Sequence, residues 1–204
     1  MLLVLTLAAL ACQCRALAPA ARRAATDLRV ANQLAHDALV ARLADELTGG
    51  ARALPASAVR RDAMLRELPA EWGLRGDALR GDARRRPDLV ALDARRAELL
   101  VIEVTIVPDA ALAKCAERKR RKYADLARAR HGPLRPILGV VAVGAGGAVP
   151  AESRAAIQAI AGDGGDAERA VEAARAIAMS RPGRALATRR RQRPALHSAS
   201  ACVR

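Results

Sequence analysis

Apolar residues recur at helical spacing near the start of the chain and then fall into strand-like runs. The first periodicity predicts an amphipathic helix over 28–47, ended by a glycine pair. Its apolar positions are Leu28, Leu34, Leu39, Leu43 and Leu47. Two β-rich runs follow at 88–92 and 99–107, joined by a short charged turn at 93–96. This arrangement is typical of a β-hairpin.

The second half of the chain favours helices separated by one more strand. We expect a long helix over 110–130 with a strongly basic polar face, and a strand over 136–143 that ends in a glycine-rich segment. Two weaker helical patterns cover 152–160 and 166–179, and a short strand is expected around 64–68. The fold class is therefore α/β, with the order helix, strand, strand, strand, helix, strand.

The chain is predicted to have three parts. We expect a folded domain over 28–180, preceded by an apolar extension over 1–27. Residues 181–204 are arginine-rich and aperiodic, which is typical of a disordered basic tail.

Composition limits both the core and the choice of partners. The 204 residues include no Phe, one Trp and one Tyr, so the core has to be built from Leu, Val, Ile and Ala. The formal net charge is +14, and such a charge attracts polyanions, nucleic acid first and anionic membrane second.

The N-terminal segment leaves two interpretations open. Residues 1–11 are apolar, and Ala16-Leu17-Ala18 is similar to the cleavage site of a secretory signal. No basic residues precede the run, however, and it is too short to span a bilayer. It is either a targeting peptide, which would make the protein a secreted cationic protein, or an apolar extension or truncated start.

The cysteines do not indicate a zinc site or a disulfide framework. None lies in a C-x-x-C pair, and no His stands at zinc-finger spacing. We therefore expect four free thiols in a reducing compartment. They are Cys12, Cys14, Cys115 and Cys202.

Lysine is confined to one short window of an otherwise arginine-rich chain. The three lysines are Lys114, Lys119 and Lys122, and the only tyrosine, Tyr123, follows the last of them. An ammonium is a compact charge with a tunable pKa, whereas a guanidinium is a planar fork that is always charged. The window therefore indicates a site that needs an ammonium, and helical spacing puts Lys119, Lys122 and Tyr123 on one face.

An acid stands inside the most apolar strand. Glu103 lies in the run 99–107, whose two faces are otherwise apolar except at Thr105. A buried carboxylate is costly unless it is paired or binds a metal. The predicted hairpin can bring Asp88 beside Glu103, and two converging carboxylates favour a cation with oxygen ligands, Mg²⁺ or Mn²⁺.

Three segments together resemble a known nuclease family. Arg86-Pro87-Asp88, Ile102-Glu103-Val104-Thr105 and Lys119-Arg120-Arg121-Lys122-Tyr123 resemble the PD-(D/E)XK restriction-like endonucleases. More narrowly, they are similar to the C-terminal endonuclease domain of site-specific non-LTR retrotransposons. Two looser similarities, at His36-Asp37 and over 137–150, extend the coverage to about 28–162.

The resemblance implies a core of helix, three strands, helix and strand, and cleavage of DNA. It assigns metal binding to Asp88 and Glu103, and charge stabilisation to Lys119 and Lys122. It departs from the common motif at Thr105, where a lysine usually stands. The reverse transcriptase and zinc knuckle that normally precede the domain are not in this sequence, so it is similar to a fragment, a remnant or a domesticated domain. A reverse transcriptase or another DNA-targeting module is then an expected partner, and the nucleus the expected location.

The remaining candidates surround this site. We expect backbone contacts to nucleic acid from the arginines Arg84, Arg85, Arg86, Arg118, Arg120 and Arg121. Supporting roles are assigned to Thr105, Tyr123, His36 and Glu67, the last as an outer metal ligand; packing or surface roles are the alternatives. Lys114 is interpreted as a solvated helix residue. The alternative function is an inactive relic that binds nucleic acid without cutting it.

Overall fold

Four strands form one sheet, in the order β1-β2-β3-β4. In the computed structural model, which describes residues 26–27, 29–72, 85–128, 134–162 and 165–180, β2 pairs antiparallel with both β1 and β3, and β4 pairs parallel with β3. The strands are β1 (Val59–Arg61), β2 (Leu89–Asp93), β3 (Glu98–Val107) and β4 (Arg135–Gly144). The predicted hairpin is confirmed as β2–β3, and the protein has a mixed α/β fold.

Helices cover both faces of the sheet. They are α1 (29–49), α2 (Leu112–Lys122), α3 (Ala124–Arg128), α4 (Ala151–Ala161) and α5 (Gly165–Met179). Each predicted helix is present, with ends within a few residues of those expected from periodicity. Within the described residues, no helix has the length and apolar character needed to cross a bilayer.

β3 is buried on both sides, as expected for a central strand. On one face, Leu100, Ile102 and Val104 belong to a core formed with α1, α4 and α5. On the other face, Leu99 and Val101 pack with a smaller cluster that contains the only tyrosine and the only tryptophan. Because side chains alternate along a strand, Glu103 points to this second face.

The prediction of a short strand at 64–68 is wrong. The edge strand lies earlier, at Val59–Arg61, where Val59 pairs with Ala91. Residues Leu65–Glu67 instead form a 3-10 turn, closed by a bond from the Leu68 amide to the Leu65 carbonyl. Proline at position 69 follows this turn, and the Leu65 amide donates to the Arg85 carbonyl at 3.1 Å.

The long helix predicted over 110–130 is interrupted. A 3-10 turn at Asp109–Ala111 precedes α2, and Tyr123 separates α2 from α3 with non-helical backbone angles, φ −117° and ψ 11°. The interruption accompanies complete burial of the Tyr123 side chain, which is 0% exposed. Residues 129–130 lie outside the described part of the chain.

One apolar position of α1 also differs from the prediction. Leu39, Leu43 and Leu47 are fully buried, but Leu34 is 63% exposed. At 100° per residue, Leu34 lies about 140° around the helix from Leu39, on the solvent side. Leu28, the N-terminal apolar run, and the basic tail lie outside the described residues.

Candidate active site

A buried carboxylate near the middle of β3 is held by two lysines from α2. The Glu103 side chain is 1% exposed, and its Oε2 contacts the Lys119 ammonium. Its Oε1 lies 3.3 Å from Nζ of Lys122. The two lysines are three residues apart, so one turn of α2 presents both to the same carboxylate. The predicted convergence of Glu103, Lys119 and Lys122 is therefore observed.

Asp88 lies beside Glu103 because of the hairpin register. Leu89 pairs with Ile102 across the antiparallel ladder, so the preceding residue, Asp88, faces Glu103. Asp88 Oδ2 accepts a hydrogen bond of 2.6 Å from the Val104 amide. This bond fixes the Asp88 carboxylate at the start of β2, and its side chain is 17% exposed.

His36 reaches the same carboxylate from α1. Its Nε2 lies 3.4 Å from Asp88 Oδ1, and its Nδ1 lies 3.1 Å from Asp37 Oδ1. The hydrogen bond to Asp88, opposed by burial and assisted by Asp37, raises the pKa of His36 from 6.5 to about 9. The imidazole is therefore charged at neutral pH, with an acid at each ring nitrogen.

The surroundings of Asp88 favour its ionised form. Burial would raise its pKa, but the His36 and Val104 hydrogen bonds outweigh burial and lower it. The charge of Lys119 contributes in the same direction, although the contact of Lys119 is with Glu103. Both carboxylates are thus within the field of one ammonium.

Tyr123 closes the site from the core side. Its ring lies 4.6 Å from the Lys122 ammonium and 5.9 Å from the Arg85 guanidinium. Its hydroxyl is buried and close to the Glu103 carboxylate, although no contact among the described residues has ordinary hydrogen-bond geometry. Burial first, and then the nearby Glu103 carboxylate, raise the pKa of this phenol. Tyr123 therefore packs in the smaller core cluster and also contacts the site through Lys122.

The donor set decides which metal the site can hold. The described ranges contain no group of three or more His, Cys, Asp and Glu side chains arranged as metal ligands. Magnesium, however, is commonly bound by one or two carboxylates and keeps several waters. Asp88 and Glu103 fit that mode, because each carboxylate oxygen keeps a lone pair beside the one that faces His36 or a lysine.

The other supporting candidates lie in different settings. Thr105 is half-buried two residues beyond Glu103, opposite Ala142 of β4. Glu67 accepts a hydrogen bond from the Met64 amide, a capping contact that involves neither Asp88 nor Glu103.

Most of the predicted nucleic-acid-binding arginines are bonded within the protein. Arg85 donates to the Lys122 carbonyl, and Arg86 pairs with Asp62 at 2.8 Å. Two of the α2 arginines pair with the acid on their own helix. These are Arg120 and Arg121, whose distances to Glu117 are 3.7 Å and 2.8 Å. Arg84 lies outside the described residues.

An open groove of about 400 Å³ lies along the outer side of α2. It is lined by Lys114, Cys115, Glu117, Arg118 and Arg121. Lys114 and Arg118, one turn apart, form no ion pair with any residue in the described ranges. The groove therefore presents two unpaired cations close to the helix face that holds Glu103.

A second buried charge network was missed from the sequence. Arg52 is 4% exposed and lies 2.8 Å from Asp93 and 3.0 Å from Glu98, while Arg135 contacts Glu98 from the surface. Asp93 and Glu98 face each other at the closed end of the hairpin, away from Asp88. The sequence signal that could have indicated this network is the pair of acids, Asp93 and Glu98, on either side of the hairpin turn.

No protein-family model matches the chain, and no curated protein matches it significantly.

Proposed function

We propose that this protein is a metal-dependent endonuclease domain that hydrolyses DNA phosphodiester bonds. The observation that carries the proposal is the Glu103 carboxylate, 1% exposed, with Lys119 and Lys122 on its two oxygens and Asp88 beside it. A buried acid is costly in a central strand unless it is paired or binds a metal, and here it is paired with the two lysines of α2. Two acids can hold a divalent cation, and two lysines can stabilise the charge that develops on a phosphate during hydrolysis.

The element order supports a restriction-endonuclease-like core. The chain runs α1, β1, β2, β3, α2, β4, and the acids stand at the start of β2 and within β3. This is the helix, three-strand, helix, strand order that the resemblance implies. The parallel pairing of β4 with β3 allows α2 to cross over the second face, where the lysines meet Glu103.

Asp88 and Glu103 are the residues that would hold Mg²⁺ or Mn²⁺. When bound, such a cation supplies the positive charge that activates water and neutralises a phosphate. The protein's own share is positioning: the Val104 amide and His36 orient Asp88, and Lys119 orients Glu103. Lys122 pairs with Glu103, and because its side chain is 42% exposed its ammonium can also contact a phosphate oxygen from the solvent side.

DNA is the proposed partner, and α2 is its proposed contact surface. Arg118 and Lys114 line the groove on this helix and form no ion pair with the described residues, since Glu117 in the same groove pairs with Arg120 and Arg121. Because phosphate contacts position a nucleic acid without reading its sequence, a separate module, such as a reverse transcriptase, is proposed to supply target choice.

A second candidate is a noncatalytic domain that binds nucleic acid. The cluster favours it in one respect: its two carboxylates already face three cations, His36, Lys119 and Lys122. Such a cluster is stable without a metal and can attract a phosphate directly. This candidate predicts salt-sensitive DNA binding without metal-dependent cleavage.

Plasmid nicking separates the two candidates. The purified protein is incubated with supercoiled plasmid in Mg²⁺ or in EDTA, beside Asp88→Asn and the control Asp45→Asn, an exposed aspartate of α1. We expect nicking in Mg²⁺ by the wild type and by Asp45→Asn, and none by Asp88→Asn. Equal nicking by all three proteins contradicts the assignment, and DNA binding without nicking favours the second candidate.

A further inference from the structure

Asp62 is an exposed carboxylate beside a site that is proposed to bind a polyanion. It directly follows β1, and its amide donates to the Asp88 carbonyl at 3.0 Å. Its side chain is 69% exposed, so its negative charge opposes the approach of a phosphate. An acid at this position therefore disfavours DNA binding unless it holds a group that favours it.

The backbone of Asp62 lies in the left-handed region, with φ 51°. Few residues other than glycine adopt this conformation, and aspartate is among those that tolerate it. In this conformation, the carbonyl oxygen and Oδ1 of Asp62 both accept from Nε of Arg86. Asp62 thus joins the two residues on either side of Pro87, Arg86 through its oxygens and Asp88 through its amide.

Arg86 is held through one nitrogen only. Its Nε lies 2.8 Å from Asp62 Oδ1, whereas neither Nη atom has a partner among the described residues. A guanidinium carries five N–H donors in a planar fork, so the donors of both Nη groups are unused. The side chain is 54% exposed, and a ligand can therefore reach these donors from solvent.

The unused part of this guanidinium matches a phosphate. Two parallel N–H groups can bond two oxygens of one phosphate, which is why arginine is common at phosphate sites. Holding Nε fixes the plane of the fork and reduces the conformational entropy that is lost on binding. Arg86 and Asp88 are two residues apart, at most about 7 Å between their Cα atoms. A phosphate on Arg86 and one at Asp88 and Glu103 would therefore belong to the same stretch of DNA backbone.

We propose that Asp62 is a positioning residue, which holds Arg86 so that its two Nη groups bind a DNA phosphate next to the one that is cleaved. Asp62 acts through Arg86 and does not touch the DNA. The inference rests on the proposed function, because its ligand is DNA, but it can be tested without any cleavage.

The first test compares Asp62→Gly with Asp62→Asn. Both variants remove one negative charge, so nonspecific attraction to DNA changes equally in each. Both new residues tolerate a positive φ, but only asparagine keeps a side-chain oxygen for Nε of Arg86. The dissociation constant for an oligonucleotide duplex is measured in EDTA at several salt concentrations.

We expect Asp62→Gly to bind the duplex about fivefold more weakly than Asp62→Asn at low salt, because Arg86 is no longer preorganised. The slope of log affinity against log salt should also be shallower, by up to about 0.9, since one phosphate contact is weakened. If only the lost charge mattered, the two variants would bind equally. Equal affinities, or tighter binding by Asp62→Gly, overturn the proposal.

The second test asks whether Asp62 acts through Arg86. In an Arg86→Gln background, we expect Asp62→Gly and Asp62→Asn to bind equally, because there is no guanidinium left to position. A fivefold difference that persists in this background overturns the proposal. Arg86→Lys gives a further measurement that leaves the backbone at Asp62 unchanged. It keeps the charge but not the planar fork, so we expect about fivefold weaker binding than in the wild type, and equal binding overturns the proposal.

These outcomes are separate from the nuclease assignment. Binding in EDTA requires no cleavage, so it decides the role of Asp62 even if the wild type does not nick plasmid. If the wild type does nick, Asp62→Gly should raise KM for DNA relative to Asp62→Asn, with kcat within about twofold, because the lost interaction is with a phosphate that does not react. A lower kcat with an unchanged KM overturns the proposal.

Discussion

The Lys119 ammonium contacts the Glu103 carboxylate in a part of β3 where that carboxylate is 1% exposed. The two residues are 16 positions apart and meet because α2 crosses back over the sheet. Lys119 is itself only 23% exposed, so its charge acts in surroundings largely free of water. A fixed charge in such a place stabilises a developing negative charge more strongly than it could in solvent.

Lys119→Met should therefore remove most of the nicking activity. Methionine keeps the aliphatic stem but not the ammonium, and we expect kcat to fall by about 100-fold in Mg²⁺. The rate of plasmid relaxation under single-turnover conditions is the measurement. We expect the variant to fold, because Lys122 still pairs with Glu103. Far-ultraviolet circular dichroism on the same sample checks this.

Lys114→Met is the matched control for this substitution. It removes the same charge from the same helix, but Lys114 lines the outer groove and has no contact with Glu103. We expect its single-turnover rate at saturating DNA to stay within about twofold of the wild type. Equal losses for the two variants would mean that the helix acts only as a basic surface.

The fold was largely predictable because its elements have strong periodicity. The hairpin β2–β3 and the strand β4 are long apolar runs that need no distant partner to be recognised. Helix α1 was predictable for the same reason, although Leu34 was placed on the wrong face. The edge strand at Val59–Arg61 was missed because three residues carry too little periodicity to distinguish a strand from a turn.

The candidate site was predictable only where chemistry is unusual for its position. Glu103 was recognised because an acid inside an apolar strand is expensive. The contact of His36 with Asp88 could not be derived, since it joins two elements 52 residues apart in the sequence through their packing. The burial of Tyr123 could not be predicted either, because the break between α2 and α3 at this residue depends on packing against the core.

Arg52→Met should destabilise the protein strongly. Arg52, Asp93 and Glu98 are 4%, 4% and 6% exposed, and Arg52 also donates to the Ala159 carbonyl at 2.7 Å. Its loss leaves two buried carboxylates without their buried partner and with contacts only to the exposed Arg135 and Arg96, and breaking such a buried pair typically costs about 3–5 kcal/mol. Urea unfolding followed by Trp72 fluorescence gives the change in unfolding free energy.

Arg96→Met is the control for Arg52→Met, because it removes an exposed ion pair to one of the same acids. Arg96 pairs with the same Asp93 at 3.8 Å, but its side chain is 56% exposed. We expect a loss of at most about 1 kcal/mol. A large loss for Arg96→Met, or a small one for Arg52→Met, contradicts the assignment of stability to the buried pairs.

Glu98 should make stability depend on pH in the acid range. Burial raises its pKa, but hydrogen bonds from Arg135 and Arg52 outweigh burial and lower it below the ordinary 4.5. A group with a lowered folded-state pKa stabilises the protein fully above its unfolded pKa, and that contribution is lost as pH falls through the folded value. Unfolding free energies at pH 6, 5 and 4 should therefore decline less steeply for Glu98→Gln than for the wild type. Parallel curves would remove Glu98 as a source of the dependence.

The groove on α2 gives a direct test of the proposed DNA path. Cys115 lies in it, partly exposed and unpaired, between Lys114 and Arg118. If DNA follows this helix, bound oligonucleotide should slow alkylation of the Cys115 thiol by about tenfold or more at low salt, and added salt should restore the rate because phosphate contacts weaken. Peptide mass spectrometry distinguishes Cys115 from the other three cysteines.

Charge reversal at Arg118 completes this test. Arg118→Glu should abolish the protection of Cys115 and weaken DNA binding, because it replaces an unpaired cation of the groove with an anion. The control is Arg95→Glu, which reverses an exposed arginine in the hairpin turn, at the closed end of β2–β3. Both variants have the same net charge, so nonspecific attraction weakens equally in each. Protection and DNA affinity that are reduced equally in Arg118→Glu and Arg95→Glu, or unchanged in Arg118→Glu, would contradict a specific contact of the DNA with Arg118.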